Sequence, residues 1–536
     1  MNWLAETSML AHGWKRALIL LCAGALAGLS VPPLFLLPAL FVSFPIWIWC
    51  LDGAEQRAGW RLLFGPSFSI GFMFGLGYFL VAIHWVGAAF FVDGGWFLIL
   101  MPPSVLMLAA ILALFWGFAS ALAHYFWSDG VWRLVALTFA LSLAEFTRGH
   151  LFTGFPFDLV GYALTANVQM AQLSALIGVY GLTVLAIFLA VLPALIWPVD
   201  GRSLSRRLLP FFSLLVILSA QLGYGHFRLQ ATPLTSRTDI KLRLIQPAIQ
   251  QAQKWQSDSR EFVMERLLTL SETKMTPDDP GLFGITHLIW PESAMPFYLA
   301  DQPDDLARIA RMLPLGKNLI TGAPRKEYGP EAPEQAFNSI LMINSEGEVV
   351  ASYDKTHLVP VGEYLPFRRF FRSLGFTQFV PGAIGWNAGD ARRLIDVAGT
   401  PPFLPLICYE AIFSAGLGTV VSGADFILNL TNDGWFDGSI GPAQHFYHTR
   451  VRAIEEGRAL VRVANTGITA LVDPLGRIEA SLAQGQVGLI DVVPQRPLPS
   501  TPFARFRHWP FFLLMLIAVV VLGWRKRVNT SENRAR

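Results

Sequence analysis

Eight apolar stretches limit the folds open to this chain more than any other feature of its sequence. They cover 16–31, 34–51, 66–92, 98–125, 132–147, 169–197, 208–224 and 509–524. A helix needs roughly 20 apolar residues to cross a bilayer. The fifth stretch is short for a span, and Pro38 and Pro45 interrupt the second. The pattern predicts a polytopic α-helical membrane protein with about eight transmembrane helices, seven within 1–230 and one within 505–536.

The composition agrees with a largely membrane-embedded chain. Hydrophobic residues make up 53% of the 536 residues and charged residues 15%, where a soluble domain has about 25% charged residues. The net charge of +3 is too small to indicate nucleic-acid binding. Cys22, Cys50 and Cys408 are too scattered for a disulfide framework. The first stretch follows Lys15 and Arg16, as in a cleaved signal peptide, but the later spans favour a retained helix.

The loop charges predict how these spans are oriented. Basic residues follow the second, fourth, sixth and eighth spans, at Arg57, Arg61, Arg133, Arg202, Arg206, Arg207, Arg525, Lys526 and Arg527. The opposite short loops contain only Arg148. Because basic loops favour the cytoplasmic side, we expect both termini in the cytoplasm and 238–495 outside it. In a bacterium with two membranes, this is the periplasmic face of the inner membrane.

The block 238–495 has the texture of a soluble domain, with short β-rich runs between helical ones. Such alternation indicates an α/β domain built on a sheet. Three polar residues occur where predicted strands end, namely Glu292, Lys355 and Cys408. Open α/β sheets place their functional sites at the carboxyl ends of strands. We therefore expect these three residues to form one site.

These three residue types suit attack by a thiol on a carbonyl carbon. Only the thiolate attacks, so the cysteine needs a base and a cation nearby. In this interpretation Glu292 takes the thiol proton, and Lys355 stabilises both the thiolate and the oxyanion. The backbone N–H of Tyr409 is a second candidate donor to that oxyanion. Taken singly, each residue has an ordinary alternative: a solvated glutamate, a surface lysine and a core cysteine.

The residues around these positions resemble the nitrilase, or carbon–nitrogen hydrolase, superfamily. The matching segments are WPES at 290–293, YDKTHLVPVGEY at 353–364, ICYE at 407–410, NLTNDGWF at 429–436 and RVANTG at 462–467. The order and spacing of the glutamate, lysine and cysteine also suit this superfamily. The resemblance implies an α-β-β-α sandwich whose catalytic triad is Glu292, Lys355 and Cys408.

The layout of the whole chain closely resembles that of bacterial apolipoprotein N-acyltransferases. Seven spans precede the catalytic block and one follows it, and further matches are FTGFP at 152–156, IGVYG at 177–181 and KW at 254–255. The resemblance implies a ping-pong reaction. Cys408 takes an acyl chain from a glycerophospholipid, typically the sn-1 chain of phosphatidylethanolamine, and holds it as a thioester. The α-amine of the diacylglyceryl-cysteine at the N-terminus of an apolipoprotein then accepts the chain.

The same resemblance assigns supporting roles to residues around the triad. Glu363 is expected to support Lys355, and Tyr409 and Glu410 to shape the pocket around Cys408. Trp255 resembles the functional tryptophan of the family. An ordinary buried aromatic is the alternative for the tryptophan. We expect a monomer whose partners are the phospholipid acyl donor, the diacylated apolipoprotein acceptor and the lipid bilayer.

Two aromatic segments are candidate lids over the site. The segment 359–382 interleaves arginines with phenylalanines, among them Phe370, Phe371 and Phe376, and a second loop contains Trp435 and Phe436. Rings mixed with guanidinium groups suit the headgroup level of a bilayer. The alternatives are a loop folded onto its own domain with solvated arginines, and, for the second loop, ordinary core aromatics.

We predict neither a metal nor a cofactor. The polar histidines of the block, His357, His445 and His448, lack the spacing of a zinc site. A membrane-anchored amidase is a rival interpretation, since it would use the same triad with water as the second nucleophile. A transporter or sensor with an external binding domain is another. It would need ionisable residues along a membrane pathway, and the spans offer few, chiefly His84, Glu145 and Asp158.

Overall fold

The computed structural model describes residues 2–55, 64–197, 203–254, 259–327, 335–364 and 385–535. The chain divides into two compact units. The first contains Met1–Thr232 together with Arg505–Arg536, and the second contains Pro233–Ala504. In the order of the chain, the second unit is therefore an insertion into the first.

The first unit is helical, and each of the eight apolar stretches contains a helix. Its α-helices are Asn2–Leu10, Gly13–Gly28, Pro38–Asp52, Pro66–Ala82, Phe90–Asp93, Met101–Tyr125, Val131–Arg148, Val168–Ala171, Ser174–Val191, Leu204–Ala231 and Trp509–Ala535. Short 3₁₀ helices lie at His84–Ala89, Gly95–Leu100, Leu151–Thr153, Val160–Thr165 and Leu192–Leu195. Helices suit such sequences because they satisfy every backbone polar group within the segment.

Some of these helices have the length and apolarity of membrane spans. Among the described residues, three qualify: Leu98–Tyr125, Ser174–Leu195 and Arg207–Ala231. A fourth candidate is the pair Pro66–Ala82 and His84–Val92, which bends by 50° at its break. The helix Pro38–Asp52 is apolar but shorter. The structure thus supports three or four of the eight expected spans, and the full number stays a prediction.

Close backbone contacts and stacked rings hold this unit together. A Cβ atom on Gly24 would lie 1.9 Å from the carbonyl oxygen of Phe74, so only glycine allows these two helices to approach so closely. The ring of Trp47 stacks on those of Phe74 and Trp116, with centroid distances of 4.4 and 5.4 Å. Its Nε1 donates a hydrogen bond to Ser120 Oγ at 2.9 Å. Small residues and buried hydrogen bonds of this kind hold helices together in lipid.

Within the described residues, the second unit contains two six-stranded sheets. The strands are β1 (Leu242–Gln246), β2 (His287–Ile289), β3 (Asn318–Glu327), β4 (Gln335–Ile343), β5 (Val349–Asp354), β6 (Ile395–Val397), β7 (Thr400–Ile407), β8 (Phe426–Thr431), β9 (Ala459–Ala464), β10 (Thr469–Val472), β11 (Ile478–Leu482) and β12 (Gly488–Val492). The strand orders are β12-β1-β2-β3-β4-β5 and β11-β10-β9-β8-β7-β6. Strands β1, β2 and β3 run parallel, as do β7, β8 and β9.

The two sheets pack face to face, and helices cover their outer faces. One core contains inward residues of both sheets, such as Leu244 and Phe403. A second core joins the first sheet to the helices Ser259–Glu272 and Pro303–Met312, and a third joins the second sheet to Gly441–Glu456. Shorter α-helices are Gln251–Lys254 and Pro502–Phe506, and 3₁₀ helices are Gly281–Gly284, Leu299–Asp301, Cys408–Ile412, Thr419–Gly423 and Asp433–Phe436. This is the α-β-β-α sandwich that the resemblance implied.

Candidate active site

The three residues of the expected triad all lie just beyond the carboxyl ends of strands. Glu292 follows β2 at a distance of three residues, Lys355 directly follows β5, and Cys408 directly follows β7. Glu292 is 5% exposed and Lys355 1%, whereas Cys408 is partly exposed. Charges buried to this degree require partners close by.

Lys355 lies between two carboxylates. Its Nζ is 2.8 Å from Glu363 Oε1 and 3.8 Å from Glu292 Oε1. Asn338, in β4, bridges the same carboxylates, since its Nδ2 donates to Glu292 Oε1 at 2.8 Å and to Glu363 Oε1 at 3.2 Å. The backbone N–H of Asn432 donates to the other oxygen of Glu292 at 2.7 Å. These donors fix the direction in which the Glu292 carboxylate points.

The surroundings shift the pKa of each member of the triad. Burial raises the pKa of Glu292, and the charge of Lys355 only partly opposes this. For Lys355, burial lowers the pKa, but the attraction of Glu363 and Glu292 outweighs burial and the net pKa is raised. Burial also raises the pKa of the Cys408 thiol, and the Glu292 charge adds to the rise. In the resting site the thiol is therefore neutral and the lysine cationic, and Glu292 is a stronger base than an ordinary carboxylate.

Cys408 has a backbone conformation that residues with side chains rarely adopt. Its φ is +49°, at the point where β7 ends and the 3₁₀ helix Cys408–Ile412 begins. Left-handed conformations of this kind cost of order 1–3 kcal/mol and persist only where the surroundings hold them. The strand-to-helix turn therefore presents the sulfur at the edge of the sheet.

Glu410 joins the two sheets beside the site. Its buried carboxylate accepts hydrogen bonds from the N–H groups of Thr356 at 2.9 Å, His357 at 3.1 Å and Ile407 at 2.8 Å. The Tyr353 hydroxyl adds a further bond at 3.0 Å. Burial works to raise the pKa of Glu410, but the charge of Arg392 and the hydrogen bonds from Ile407 and Thr356 lower it overall. The Glu410 carboxylate therefore holds the end of β5 against the end of β7.

A second polar group contacts the backbone of Cys408. His445 Nε2 is 3.2 Å from the carbonyl oxygen of Cys408, and its Nδ1 is 2.8 Å from Asp433 Oδ1. Asp433 Oδ2 accepts a hydrogen bond from Arg462 Nη2 at 2.8 Å. Burial works to raise the pKa of Asp433, but the charges of Arg462 and His445 lower it to about 2. In the described part of the chain, Cys408, Asp433 and His445 are also the one group with the proximity of metal ligands.

The other predicted site residues take different positions. Tyr409 is buried and packs edge-on against Phe413, with ring centroids 5.1 Å apart. Trp435 and Phe436 are half-buried in the 3₁₀ helix that begins at Asp433. The predictions for four residues lie outside the described residues: Trp255, Phe370, Phe371 and Phe376.

Comparisons with known proteins identify the family. Two family models match: the apolipoprotein N-acyltransferase N-terminal domain over residues 23–192 and the carbon–nitrogen hydrolase over residues 247–496. The apolipoprotein N-acyltransferase of Rhodopseudomonas palustris is 40% identical over 531 residues, which cover 98% of each chain. That of Bradyrhizobium diazoefficiens is 42% identical over 532 residues, 98% of this chain and 97% of the relative. The chain belongs to the apolipoprotein N-acyltransferase family.

As a member of the apolipoprotein N-acyltransferase family, the chain is an enzyme of the N-acyltransferase class, as its sequence predicted. The two family models fall one in each structural unit. Among solved structures, a mutant of the amidase from Nesterenkonia sp. AN1 is similar over 52% of this chain and 98% of that chain, with 18% identity and a TM-score of 0.35.

Several polar residues around the expected triad were not predicted from the sequence. Asn338 lies in the middle of β4 and carries no local signal. Asn432 and Asp433 lie within the recognised segment 429–436, whose polar residues were the available clue. His445 was considered only as a metal ligand. Its position in the helix Gly441–Glu456 gave no indication that it contacts Cys408.

Proposed function

We propose that this enzyme transfers an acyl chain from a membrane glycerophospholipid, through a thioester on Cys408, to the N-terminal amine of the diacylglyceryl-cysteine of an apolipoprotein. The transfer completes lipoprotein maturation. The observation that supports it most is the site itself, where a glutamate of raised pKa and a lysine that keeps its charge accompany a cysteine at a strand end. The long apolar helices of the first unit suit a lipid donor, and the names of the relatives suit a lipoprotein acceptor.

The first half-reaction acylates the cysteine. Glu292 removes the thiol proton of Cys408, and the sulfur attacks the carbonyl carbon of the phospholipid ester. A C–S bond forms, and Lys355 and the backbone N–H of Tyr409 stabilise the tetrahedral oxyanion. As the intermediate collapses, the C–O bond breaks and the proton passes from Glu292 to the oxygen of the departing lysophospholipid.

The second half-reaction passes the acyl chain to the acceptor. The neutral amine of the lipidated cysteine attacks the thioester carbon and forms a C–N bond, while Glu292 accepts the proton that the nitrogen loses. The C–S bond breaks, and the same proton returns to the Cys408 sulfur. An amine displaces a thioester readily, but water can hydrolyse the thioester first. Water must therefore be kept from the intermediate, and a site at the bilayer surface does this.

Supporting residues act through the triad in this proposal. Glu363, 2.8 Å from Lys355 Nζ, holds the lysine in place. Glu410 fixes the strand ends, Tyr409 shapes the pocket, and Trp255 serves as the functional tryptophan of the family. Two segments act as mobile lids between the site and the bilayer: 359–382, with Phe370, Phe371 and Phe376, and the loop with Trp435 and Phe436.

The proposal also includes the arrangement in the cell. The enzyme is a monomer of the bacterial inner membrane that spans the bilayer eight times. Both termini lie in the cytoplasm, and the unit with the triad faces the periplasm. The loop arginines support this orientation.

Mass spectrometry of the Cys408 peptide tests the reaction class. After incubation with phospholipid and no acceptor, we expect the peptide to gain the mass of one fatty-acyl chain. Adding a diacylglyceryl-cysteine lipopeptide should remove that mass and place it on the lipopeptide amine. The proposal is wrong if Cys408 stays unmodified, or if the acyl chain appears only as free fatty acid when the lipopeptide is present. Ammonia release from small amides would instead favour an amidase.

A further inference from the structure

His445 links the backbone of the nucleophile to a buried network of charged groups. Its Nε2 contacts the carbonyl oxygen of Cys408, and its Nδ1 contacts Asp433, which Arg462 of β9 holds from the far side. The exposed fractions of these side chains are small, at 5% for His445, 3% for Asp433 and 0% for Arg462. Water does not compete for hydrogen bonds at this depth, so each bond counts more than it would at the surface.

The partners of the His445 ring determine which nitrogen carries a proton. The carbonyl oxygen of Cys408 only accepts, so its contact with Nε2 is a hydrogen bond when Nε2 carries the hydrogen. Nδ1 has an acceptor at Asp433 Oδ1 and a donor at Arg462 Nη2, 3.2 Å away. The network therefore accommodates Nδ1 with or without a proton. In both protonation states Nε2 donates to Cys408.

A hydrogen bond to the Cys408 carbonyl oxygen also affects where the Cys408 side chain points. The left-handed φ of +49° at Cys408 sets the direction of both its peptide plane and its side chain. Without a restraint on the carbonyl, the residue can relax toward the extended conformation of β7 and turn the sulfur away from Glu292 and Lys355. A hydrogen bond that holds the carbonyl thus also holds the sulfur.

We propose that His445, oriented by Asp433 and Arg462, is a positioning residue that keeps the Cys408 sulfur aimed at the acyl carbonyl by holding the Cys408 carbonyl oxygen. The inference rests on the proposed role of Cys408 as the acylated nucleophile. His445 touches neither the acyl group nor the transferred proton. It acts through the backbone of Cys408.

A metal site is the other use these residues suggest. Within the described residues, a ring nitrogen of His445, the Cys408 sulfur and a carboxylate oxygen of Asp433 lie within 4.8 Å of one another. The hydrogen bonds favour positioning, because Arg462 donates to one oxygen of Asp433 and Thr431 to the other. A cation bound to Asp433 would also meet the charge of Arg462.

A matched pair of substitutions separates the two ring nitrogens. The side-chain amide of His445→Gln reaches the position of Nε2 and can still donate to Cys408. That of His445→Asn reaches only the position of Nδ1 and can still bond Asp433. Both are made in the full-length enzyme with Cys22→Ala and Cys50→Ala, which leave Cys408 as the one thiol. The measurements are the single-turnover rate of Cys408 acylation by phospholipid vesicles, the pH profile of Cys408 alkylation by iodoacetamide, and the unfolding temperature.

We expect His445→Asn to acylate and alkylate about ten- to a hundredfold more slowly than the parent, because small displacements of a reacting atom have effects of this size. His445→Gln should stay within a few fold of the parent and keep its alkylation midpoint, and the unfolding temperature should be unchanged in both variants. Equal rates in the two variants would overturn the inference, as would a loss in His445→Asn that its unfolding explains. Parent activity that EDTA abolishes and zinc restores would overturn it in favour of a metal.

The alkylation arm also separates this inference from the proposed function. If the parent forms no acyl adduct with phospholipid, the proposed function fails. Iodoacetamide needs no lipid, so the comparison of His445→Asn with His445→Gln still decides whether His445 positions the sulfur. Normal acylation of the parent with equal rates in both variants would leave the function intact and remove only His445.

Discussion

Two glutamates compete for one buried lysine, and the distances show an unequal division. Glu363 Oε1 lies 2.8 Å from Lys355 Nζ, whereas Glu292 Oε1 lies 3.8 Å away. The closer carboxylate takes most of the attraction of the ammonium group. Glu292 keeps a raised pKa as a result, since burial acts on it more strongly than Lys355 does. Glu363 therefore holds Lys355 in place, whereas Glu292, which the ammonium group attracts less, stays the more available as a base.

The first prediction concerns the triad residues individually. Cys408→Ala should form no acyl-enzyme and transfer no acyl chain, because the nucleophile is gone. Glu292→Gln and Lys355→Ala should stay folded but slow thioester formation at least about a hundredfold, through loss of the base or of the oxyanion partner. Intact-protein mass spectrometry against time measures this. The control, Cys22→Ala with Cys50→Ala, should keep its activity, and normal adduct formation in any triad variant would remove that residue from the assignment.

The second prediction concerns the acidic limb of the pH–rate profile for acylation, which reports protonation of Glu292. Asn338→Leu removes a donor that favours the charged carboxylate, so the pKa of Glu292 rises and the limb moves to higher pH. Glu363→Gln removes a negative neighbour that raises the same pKa, so the limb moves to lower pH. Gln335→Leu, at the exposed start of the same strand as Asn338, should not move it. Shifts of equal sign in the first two variants would contradict this account.

One physical reason explains why Asn338 and His445 were not predicted from the sequence. Glu292, Lys355 and Cys408 each follow a strand within a recognisable segment, so local sequence locates them. Asn338 reaches the site only because β4 pairs with β5 in a register where the Lys355 N–H donates to the Asn338 carbonyl at 2.9 Å. His445 depends on how a helix packs on the second sheet. Neither pairing register nor helix rotation is encoded near the residue itself.

At the scale of elements, the site depends on two sheets meeting at one edge. β5 belongs to the first sheet and β7 to the second, and each supplies one triad residue at its end. Glu410 bonds Thr356 beyond β5 and Ile407 at the end of β7, and so ties these ends together. The contact between the sheets was not predicted from the sequence, because it joins segments that are far apart in the chain.

The third prediction follows from this tie. Glu410→Gln replaces an acceptor-only carboxylate with an amide whose NH₂ group faces N–H donors. We expect the free energy of unfolding to fall by about 1–3 kcal/mol, the cost of leaving buried donors without an acceptor. Acylation should slow as well, because Lys355 and Cys408 lose their common anchor. Denaturant unfolding and single-turnover acylation measure the two effects. Glu348→Gln, in the exposed turn between β4 and β5, is the control and should change neither.

The fourth prediction concerns the proposed lid at 359–382. Replacing Phe370, Phe371 and Phe376 together by Ser should slow acyl loading from bilayer phospholipid, because the rings no longer enter the acyl region. Loading from a soluble short-chain ester should change much less. Timing the thioester and transfer steps separately with each donor tests this. Equal losses with both donors would indicate a structural role, and unchanged loading would remove the lid from the proposal.

At the scale of the whole molecule, the order of the two units along the chain bears on the predicted membrane topology. The catalytic unit lies in sequence between the helices Leu204–Ala231 and Trp509–Ala535. An odd number of spans before it and one after it would place it opposite both termini. The apolar stretches predicted the helices themselves, but not their lengths. The predicted span 66–92 breaks after Ala82, and the helix within 34–51 begins only at Pro38, which lies in its first turn.

The fifth prediction tests the orientation. A reporter that is active only outside the cytoplasm should be active when fused near residue 300 and inactive when fused near residue 204. A fusion after the last helix should also be inactive, because both termini are expected in the cytoplasm. The reverse pattern would put the triad at the cytoplasmic leaflet and contradict the periplasmic part of the proposal.

The catalytic unit begins and ends at one place. β1 and β12 are antiparallel neighbours with Leu242 opposite Val492, and beyond them Ser236 still bridges to Gln495. Paired strands are about 5 Å apart, so the incoming and outgoing chains run side by side. To the rest of the polypeptide the unit is the equivalent of a hairpin turn, however many residues it contains. Its own first and last strands therefore keep its two ends beside each other.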